Sequence, residues 1–311
     1  MRAPTGEQFE LTISHGKQQS RATITEVAAG IRALTVDGID LVETFPASIR
    51  PPFGSGTVLS PWPNRIEDGI WLLDGEKQQL DITEPALGNA LHGLLVFTPY
   101  RVTEQSEGVI ELAAPVFPQH GYPFQLHTTV RYELQDDGLR VTHTFRNVGA
   151  GRAPVAVGTH PFLTIGDVPT EDLVLTVNAD THFDVDERLN PVAEVPVDGT
   201  EFDLRSGRRV GELQLDDGFG AVRVVDGVSR HRLTAPDGRF VELWQDAAFG
   251  YVQVFTTRAF SGAGEDHLAI AVEPMTAPAN GFNSGKGVHW LEPNEAWSVT
   301  WGIRYGREAQ A

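Results

Sequence analysis

Four short stretches of the 311-residue sequence place an ionisable or amide side chain beside a proline or a glycine. They are WPNRI at 62–66, ALHGL at 90–94, VGTHPFL at 157–163 and AVEPMTAPANGFN at 271–283. A histidine with a pKa of about 6.5 gives and takes protons near neutral pH, and an ionised glutamate takes them. The stretches therefore contain the residue types of acid–base chemistry, although their spacing alone does not bring them together.

Prolines restrict the backbone around two of these side chains. His160 precedes Pro161 and Glu273 precedes Pro274, and a residue before proline is biased toward an extended conformation. We expect each to end an extended segment at the mouth of a β-sandwich or barrel, where a site would be built. The alternatives are structural: a lone histidine such as His160 or His92 is more often a satisfied core residue, and Glu273 fits a rim salt bridge.

The stretch LSPWPNRIEDGIW at 59–71 surrounds an arginine with rigid chain. Pro61 and Pro63 fix the backbone in front of Asn64 and Arg65. The guanidinium of Arg65 is a planar fork with five donors whose charge does not titrate away. A stiff backbone can aim such a fork at a ligand, and the alternative is a structural salt bridge beside a turn.

The elements that must position these residues are strands, because the dominant hydrophobic period is two. Apolar and polar residues alternate over 124–134, again from Leu139 to Phe145, and from Trp297 to Tyr305. Asp-Gly or related turns are expected at 37–38, 68–69, 74–75, 137–138, 217–218, 226–227 and 237–238. This pattern predicts an all-β sandwich or barrel. It predicts no amphipathic helix of three turns or more, and a single domain over residues 1–311.

Composition narrows the possible partners. The net charge of −18 repels phosphate backbones and anionic lipid, so we expect neither nucleic acid nor a membrane as partner. The chain has no cysteine, which excludes disulfides, thiolate metal sites and cysteine nucleophiles. The N-terminal sequence has no apolar signal-peptide core, and no run of 18 apolar residues exists, so the expected location is the cytoplasm.

Sequence motifs for metals, nucleotides and serine nucleophiles are also missing. The ten histidines form neither HExxH nor HxH spacing, so we expect no metal. No glycine-rich phosphate loop lies between a strand and a helix, and no nucleophile elbow occurs. We therefore expect no cofactor.

Taken in order, the four stretches resemble the motifs of the aldose 1-epimerase (galactose mutarotase) family. NRI, ALHGL, GTHPF and VEPMTAPANGFN follow the family's order and approximate spacing, between AAGIRALTVDGIDLVE and LEPNEAWSVTWGIRY. The form PWPNRI looks most like a bacterial branch with sulfosugar mutarotase-like members. The resemblance implies a large antiparallel β-sandwich, often called a supersandwich. It also implies an isomerase that interconverts the α and β anomers of free aldoses without cofactor or metal.

The resemblance also implies residue roles. Glu273 matches the base that removes the C1 hydroxyl proton, and His160 matches the acid that protonates the ring oxygen. His92 and Arg65 match groups that bind sugar oxygens and developing charge, and Asn64 would contact or support the sugar. A base must be ionised to work, so we expect Glu273 to keep a pKa below the working pH, helped by Arg65 if the two are close.

The family's hydroxyl-gripping aspartate matches the segment LDDGF. Its spacing to Phe219 favours Asp216 over Asp217, and the alternative is an Asx turn at 216–218. An aromatic wall for the sugar is also expected, although each candidate equally suits the core; the candidates are Trp62, Phe162, Trp244 and Phe282.

Substrate identity stays open at this stage. The family's aromatic pair after His-Pro is here Phe162-Leu163, and the usual acidic residue before the aromatic-asparagine pair is missing, so galactose specificity has no support. A free hexose is the default, and sulfoquinovose or a hexose 6-phosphate is the alternative. The anionic sugars need cations near C6, for which Arg50, Arg101 and Arg152 are candidates. A non-catalytic sugar-binding protein is the other class, and the state is expected to be monomer or homodimer.

Overall fold

The computed structural model describes residues 2–262 and 264–308. The first fourteen strands are β1 (Gln8–His15), β2 (Gln18–Thr25), β3 (Ile31–Val36), β4 (Ile39–Asp40), β5 (Val58–Leu59), β6 (Arg65–Ile66), β7 (Ile70–Leu73), β8 (Glu76–Gln79), β9 (Ala90–Leu91), β10 (Arg101–Gln105), β11 (Val109–Val116), β12 (Leu126–Gln135), β13 (Gly138–Asn147) and β14 (Ala153–Val155). The remaining strands are β15 (Gly158–Thr159), β16 (Phe162–Leu163), β17 (Val174–Val177), β18 (Ala179–Val185), β19 (Pro191–Pro196), β20 (Arg208–Arg209), β21 (Asp216–Val222), β22 (Val228–Thr234), β23 (Arg239–Asp246), β24 (Tyr251–Phe260), β25 (His267–Met275), β26 (His289–Leu291) and β27 (Ala296–Arg307). A single-turn helix, α1, spans Gly281–Ser284, and 3-10 turns occupy Pro52–Gly54, Glu67–Gly69, Thr170–Asp172 and Val210–Glu212.

Two large antiparallel sheets form the body of the molecule. The nine-stranded sheet has the order β10-β11-β12-β13-β27-β23-β22-β17-β20. The eight-stranded sheet runs β19-β18-β21-β24-β25-β15-β5, with β16 paired to β25. A four-stranded sheet, β1 to β4, and three two-stranded pairs complete the fold. The prediction of a large antiparallel β-sandwich is confirmed, as is the absence of long helices from the described part of the chain.

The core lies between the faces that the period-two pattern makes apolar. Val130 of β12 and Trp301 of β27 belong to the same buried cluster as Val254 of β24 and Val272 of β25. Fully burying a side chain of this size contributes about 1.5–3 kcal/mol, so the two sheets hold each other together mainly through these alternating positions.

The turn predictions are correct where a hairpin follows and wrong at one position. β12 and β13 pair from Leu126↔Asn147 to Gln135↔Gly138, as the Asp-Gly turn between them predicts. Asp217 and Gly218 form no turn, because they lie inside β21, where Gly218 pairs with Gln253. A Cβ on Gly218 would come within 3.1 Å of Gln253 Oε1, so this glycine permits close strand packing. The Asx turn considered at 216–218 is therefore also wrong.

Two histidines are buried inside the nine-stranded sheet in the neutral state. Trp301 Nε1 donates to His143 Nε2 at 3.0 Å, which places the ring proton of His143 on Nδ1. The backbone N–H of Asn178 donates to His231 Nδ1 at 3.3 Å, which leaves the proton of His231 on Nε2, facing Ser229 Oγ. Burial lowers the pKa of each imidazole from 6.5 to about 3.

We expect His231→Asn to reduce the acid sensitivity of folding. Below about pH 6.5 the unfolded chain binds a proton at His231, whereas the folded chain does not until its pKa of about 3 is reached. The free energy of unfolding therefore falls as the pH drops through this window, by up to about 1.4 kcal/mol per pH unit for this group. Urea unfolding at pH 7, 6 and 5 measures the slope.

Val177→Ala is the matched control for that experiment, because Val177 of β17 is buried and pairs with His231 of β22. It should lower stability at every pH without changing the slope, since it removes no titrating group. An unchanged slope in His231→Asn would contradict the expectation.

Candidate active site

One cavity of about 940 Å³ is lined by all six residues singled out from the sequence. Glu273 lies in β25 and Asp216 begins β21, both in the eight-stranded sheet. The other four lie in or beside three short strands, β15 of the same sheet and the paired strands β6 and β9; they are Asn64, Arg65, His92 and His160. The structure thus brings the four sequence stretches together, while the roles of the residues stay predictions.

His160 and Glu273 are the most deeply buried pair of neighbouring ionisable groups in the cavity. His160 Nε2 lies 3.4 Å from Glu273 Oε1, and the side chains are only 7% and 2% exposed. The ring of Phe162 stacks on His160 with centroids 5.3 Å apart, and Phe255 meets it edge-on at 6.3 Å. Glu273 Oε2 and His160 Nδ1 have no hydrogen-bond partner among the described residues. Buried polar atoms in proteins are normally paired, so this unpaired capacity suits a polar ligand.

Burial drives both members of the pair toward their neutral forms. It raises the pKa of Glu273 well above 4.5, the nearby Asp216 charge raises that pKa further, and Arg65 opposes the shift. Burial lowers the pKa of His160 to about 4. Arg65 lowers the pKa of Glu273, as expected, but desolvation outweighs this attraction and the net shift is upward. The two groups lie close enough to titrate as one coupled unit.

Arg65 makes most of its side-chain hydrogen bonds to Glu84, a carboxylate that the sequence analysis missed. Its Nε donates to Glu84 Oε2 and its Nη2 to Glu84 Oε1, both at 3.0 Å, while Nη2 lies 3.4 Å from Asp216 Oδ2. Asn89 Nδ2 also donates to Glu84 Oε2, at 3.2 Å. Hydrogen bonding to Glu84 and the charge of Asp216 outweigh burial and raise the pKa of Arg65. Glu84 precedes a proline as Glu273 does, but so does the exposed Glu292, so this pattern alone does not single out Glu84.

We expect Glu84→Gln to move the high-pH limb of activity to lower pH. Without its counter-ion, Arg65 attracts the Glu273 carboxylate more strongly, which lowers the pKa of Glu273. Glu273 then loses its proton at lower pH. The profile of kcat/KM between pH 6 and 10 measures this. Glu84→Asp keeps the charge and should keep the limb in place, and an unmoved limb in Glu84→Gln would contradict the expectation.

Asp216 is held from both sides and points its carboxylate into the cavity. Gln253 Nε2 donates to its Oδ1 at 2.8 Å, while Arg65 approaches its Oδ2. Asp217 does not line the cavity, and its carboxylate accepts the backbone N–H of Asp216 at 3.0 Å. The geometry therefore favours Asp216 of the two. Gln253, which the sequence analysis missed, pairs in register with Glu273.

The rigid chain around Asn64 aligns Arg65 and His92. Arg65 pairs with Leu91 between β6 and β9, and the backbone N–H of His92 donates to the Asn64 carbonyl at 2.9 Å. Asn64 and His92 both adopt left-handed backbone angles, with φ of 53° and 64°. Burial, together with the nearby His160 and Arg65, lowers the pKa of His92 well below 6.5. A neutral His92 offers the cavity one donor and one acceptor.

The four aromatic candidates lie in different parts of the structure, and only one of them lines the cavity. Trp62 lines the cavity and donates from Nε1 to the Ala90 carbonyl at 3.3 Å. Phe162 is fully buried beneath His160, and Phe282 packs edge-on against Trp62, so neither lines the cavity. Trp244 lies in β23 against Gly302 of β27, in the nine-stranded sheet.

Of the three arginines proposed for an anionic group, only Arg50 lines the cavity. Arg101 is exposed on β10, and Arg152 pairs with Asp74 at 2.9 Å. Within residues 2–262 and 264–308, Arg50 has no carboxylate within 4.0 Å.

The described residues contain neither a metal-binding cluster nor a membrane-spanning helix. No three histidine, cysteine, aspartate or glutamate side chains among them form a group that could hold a metal ion. No helix in the same part of the chain has the length and apolar character needed to cross a bilayer.

The chain is similar in sequence to several known proteins. The model of the family described as Aldose 1-epimerase matches residues 10–304. The uncharacterized protein YihR of Escherichia coli (strain K12) is 32% identical over 298 residues, covering 95% of this chain and 93% of that protein. The galactose mutarotase of Homo sapiens is 33% identical over 177 residues, or 54% of this chain and 49% of the human protein.

Solved structures share the architecture. The crystal structure of the GalM/aldose epimerase homologue from C. elegans superimposes with a TM-score of 0.82 at 17% identity, covering 97% of this chain and 99% of that one. At this identity the likeness concerns the fold alone.

Proposed function

This chain belongs to the aldose 1-epimerase family of isomerases, and from that premise we propose that it interconverts the α and β anomers of a free hexose by acid–base ring opening and closure. The observation that carries the proposal is the buried pair of His160 and Glu273, 3.4 Å apart. Burying two neighbouring ionisable groups costs desolvation free energy. A protein that only binds a sugar does not need such a pair, whereas one that transfers protons does.

Ring opening needs one proton removed and one supplied. Glu273 takes the proton from the C1 hydroxyl, the C1–O5 bond breaks with its electrons moving to O5, and His160 gives its proton to O5. The open aldehyde turns about C1–C2. Closure on the other face reverses the transfers, so O5 returns its proton to His160 and Glu273 returns a proton to O1. Each positioned group contributes roughly 10²- to 10⁴-fold.

The working form is a Glu273 carboxylate beside a His160 imidazolium. It has the same number of protons as the neutral pair that burial favours, so it arises by proton transfer within the pair. Sugar hydroxyls that donate to Glu273 and accept from His160 would favour that transfer, because hydrogen bonds to a charged form stabilise it. Ring opening thus depends on the pair holding one proton, neither two nor none.

The remaining cavity residues bind and orient the sugar in this proposal. Asp216, fixed by Gln253 and Arg65, accepts hydrogen bonds from sugar hydroxyls. Arg65 provides permanent donors, and neutral His92 hydrogen-bonds a sugar oxygen beside the reacting centre, its ring 5.7 Å from that of His160. None of these groups has to change its charge during the reaction.

A hexose with an anionic group at C6, such as sulfoquinovose or a hexose 6-phosphate, is the second candidate substrate. The observation that favours it is Arg50, a cavity-lining cation without an ion-pair partner in the described chain. With a net charge of −18 the protein does not attract anions at long range, so capture would depend on this local contact.

Saturation transfer between the α and β C1 protons tests the proposal. The purified protein is added to equilibrated glucose, galactose, glucose 6-phosphate and sulfoquinovose, and transfer is compared with the protein-free rate. Transfer with a neutral hexose supports the main proposal. Transfer confined to anionic sugars and lost in Arg50→Gln supports the second candidate, and no transfer with any sugar rejects catalysis in favour of a sugar-binding protein.

A further inference from the structure

One arginine outside the cavity contacts the loop that carries Glu84. Arg188 lies in the turn at 186–190 between β18 and β19, at the edge of the eight-stranded sheet. Asp186 fixes this turn, because its Oδ1 accepts the backbone N–H groups of Arg188 and Asn190 at 2.9 and 2.8 Å. Arg188 does not line the cavity, so the proposed reaction does not use it directly.

The Arg188 guanidinium joins its own turn to the loop before β9 and to the 3-10 turn that contains Asp68. Its Nε donates to the Leu87 carbonyl at 2.8 Å, and its Nη2 donates to the Gly88 carbonyl at 3.2 Å and to Asp68 Oδ1 at 2.7 Å. Asn89 Nδ2 in turn donates to the Arg188 carbonyl at 3.0 Å. A planar fork with five donors holds several acceptors in fixed directions.

The loop depends on Arg188 for its attachment to the rest of the molecule. Within the described chain, every hydrogen bond that joins residues 85–89 to a residue other than Glu84 goes to Arg188. The buried Asn89 uses the same Nδ2 to donate to Glu84 Oε2 and to the Arg188 carbonyl. Without the Arg188 side chain, only that carbonyl contact still attaches the loop.

Glu84 transmits this constraint to Arg65. The Glu84 side chain is only 16% exposed, and its two oxygens accept from Nε and Nη2 of Arg65 at 3.0 Å each. Two parallel bonds of this kind fix the direction of the guanidinium as well as its distance. A displaced Glu84 therefore displaces the Arg65 guanidinium, whose Nη2 lies 3.4 Å from Asp216 Oδ2 in the cavity wall.

We propose that Arg188 is a positioning residue: it fixes the loop at 84–89, so that Glu84 holds Arg65 in the orientation that binds the sugar. This inference rests on the proposed function, in which Arg65 donates to sugar oxygens. Since Arg188 lies outside the cavity, its effect appears in sugar binding and in the pKa of Glu273, which Arg65 lowers, and not in the proton transfers.

The test uses whichever of glucose, galactose, glucose 6-phosphate and sulfoquinovose exchanges fastest. Arg188→Ala should raise KM by about two- to tenfold, the effect of weakening one hydrogen bond, while kcat stays within about twofold. The high-pH limb of kcat/KM should move to lower pH, because Arg65 is less fully paired with Glu84 and attracts the Glu273 carboxylate more strongly. A direct effect of the lost Arg188 charge would move the limb to higher pH.

A double variant separates positioning from a general loss of stability. In a Glu84→Gln background, Arg188→Ala should raise KM no further, because both changes act on the same contact with Arg65. Arg209→Ala is the matched control, since Arg209 pairs with Asp172 at 2.6 Å and lies on β20, at the edge of the nine-stranded sheet. It should change neither KM nor the limb.

Asp68→Asn provides the result if Arg188→Ala does not fold. It removes one acceptor of the Arg188 guanidinium at an exposed position, so it should raise KM by a smaller factor, and an unchanged KM would then overturn the inference. An unchanged KM in a folded Arg188→Ala would also overturn it, as would a full additional increase in the Glu84→Gln background.

Failure of the proposed function gives a different result. If the wild type exchanges none of the four sugars, catalysis is rejected, and the same variants are compared by sugar Kd from calorimetry. A Kd raised by Arg188→Ala but not by Arg209→Ala would support the positioning role without catalysis. Absence of sugar binding by the wild type would reject both proposals.

Discussion

Glu273→Gln is expected to lower kcat for anomer exchange by about 10²- to 10⁴-fold without loss of the fold. The amide has the shape of the carboxyl but cannot take the C1 hydroxyl proton. Stability should not fall at neutral pH. Burial raises the pKa of Glu273, so as pH rises above about 4.5 this group ionises in the unfolded chain while the folded chain keeps its proton, and the free energy of unfolding falls until the folded pKa is reached. The amide has no such ionisation.

The measurement pairs saturation transfer with urea unfolding at pH 6 and 8. Glu76→Gln is the matched control, because Glu76 is exposed on β8 outside the cavity, and it should change neither quantity. Wild-type turnover in Glu273→Gln would exclude this residue as the base. A large loss of stability at pH 8 would contradict the account of its burial.

His160→Asn is expected to lower kcat by a similar factor, about 10²- to 10⁴-fold, because the ring oxygen loses its proton donor. In the proposed mechanism the two residues act as one unit that holds one proton. The double variant, Glu273→Gln with His160→Asn, should therefore be little slower than the slower single variant. Binding should persist in both single variants, since Asp216 and Arg65 are unchanged.

Turnover by NMR and sugar binding by calorimetry check this second expectation. His127→Asn serves as control, because His127 lies in β12 away from the cavity. A double variant that loses the product of the two single factors would show that the residues act independently, against the shared-proton account.

Strand alternation and turn motifs predicted the strands and hairpins because both depend on residues that are neighbours in the sequence. The alternation around the Asp136-Asp137-Gly138 turn is sufficient to predict the β12–β13 hairpin, and the alternation from Trp297 to Tyr305 to predict β27. The same reasoning failed at Asp217-Gly218. There a strand-to-strand contact with Gln253, which sequence does not display, decided the conformation.

The candidate residues were likewise visible in the sequence, through prolines that stiffen Arg65, His160 and Glu273 and through the family resemblance. Glu84 and Gln253 were not found, although Glu84 precedes a proline as Glu273 does. Their importance lies in partners distant along the chain, Arg65 and Asp216, which only the folded sheets bring within 3.0 Å and 2.8 Å of them.

The sequence by itself determined the all-β architecture, the family and the identity of the acid–base pair that we propose. Only the tertiary structure decided the direction of the pKa shifts in that pair and the pairing of Arg65 with Glu84. The physical reason is that strand periodicity and turn chemistry depend on adjacent residues. Desolvation and charge pairing depend instead on which residues far apart in the sequence lie close together in space, and only the folded structure determines that.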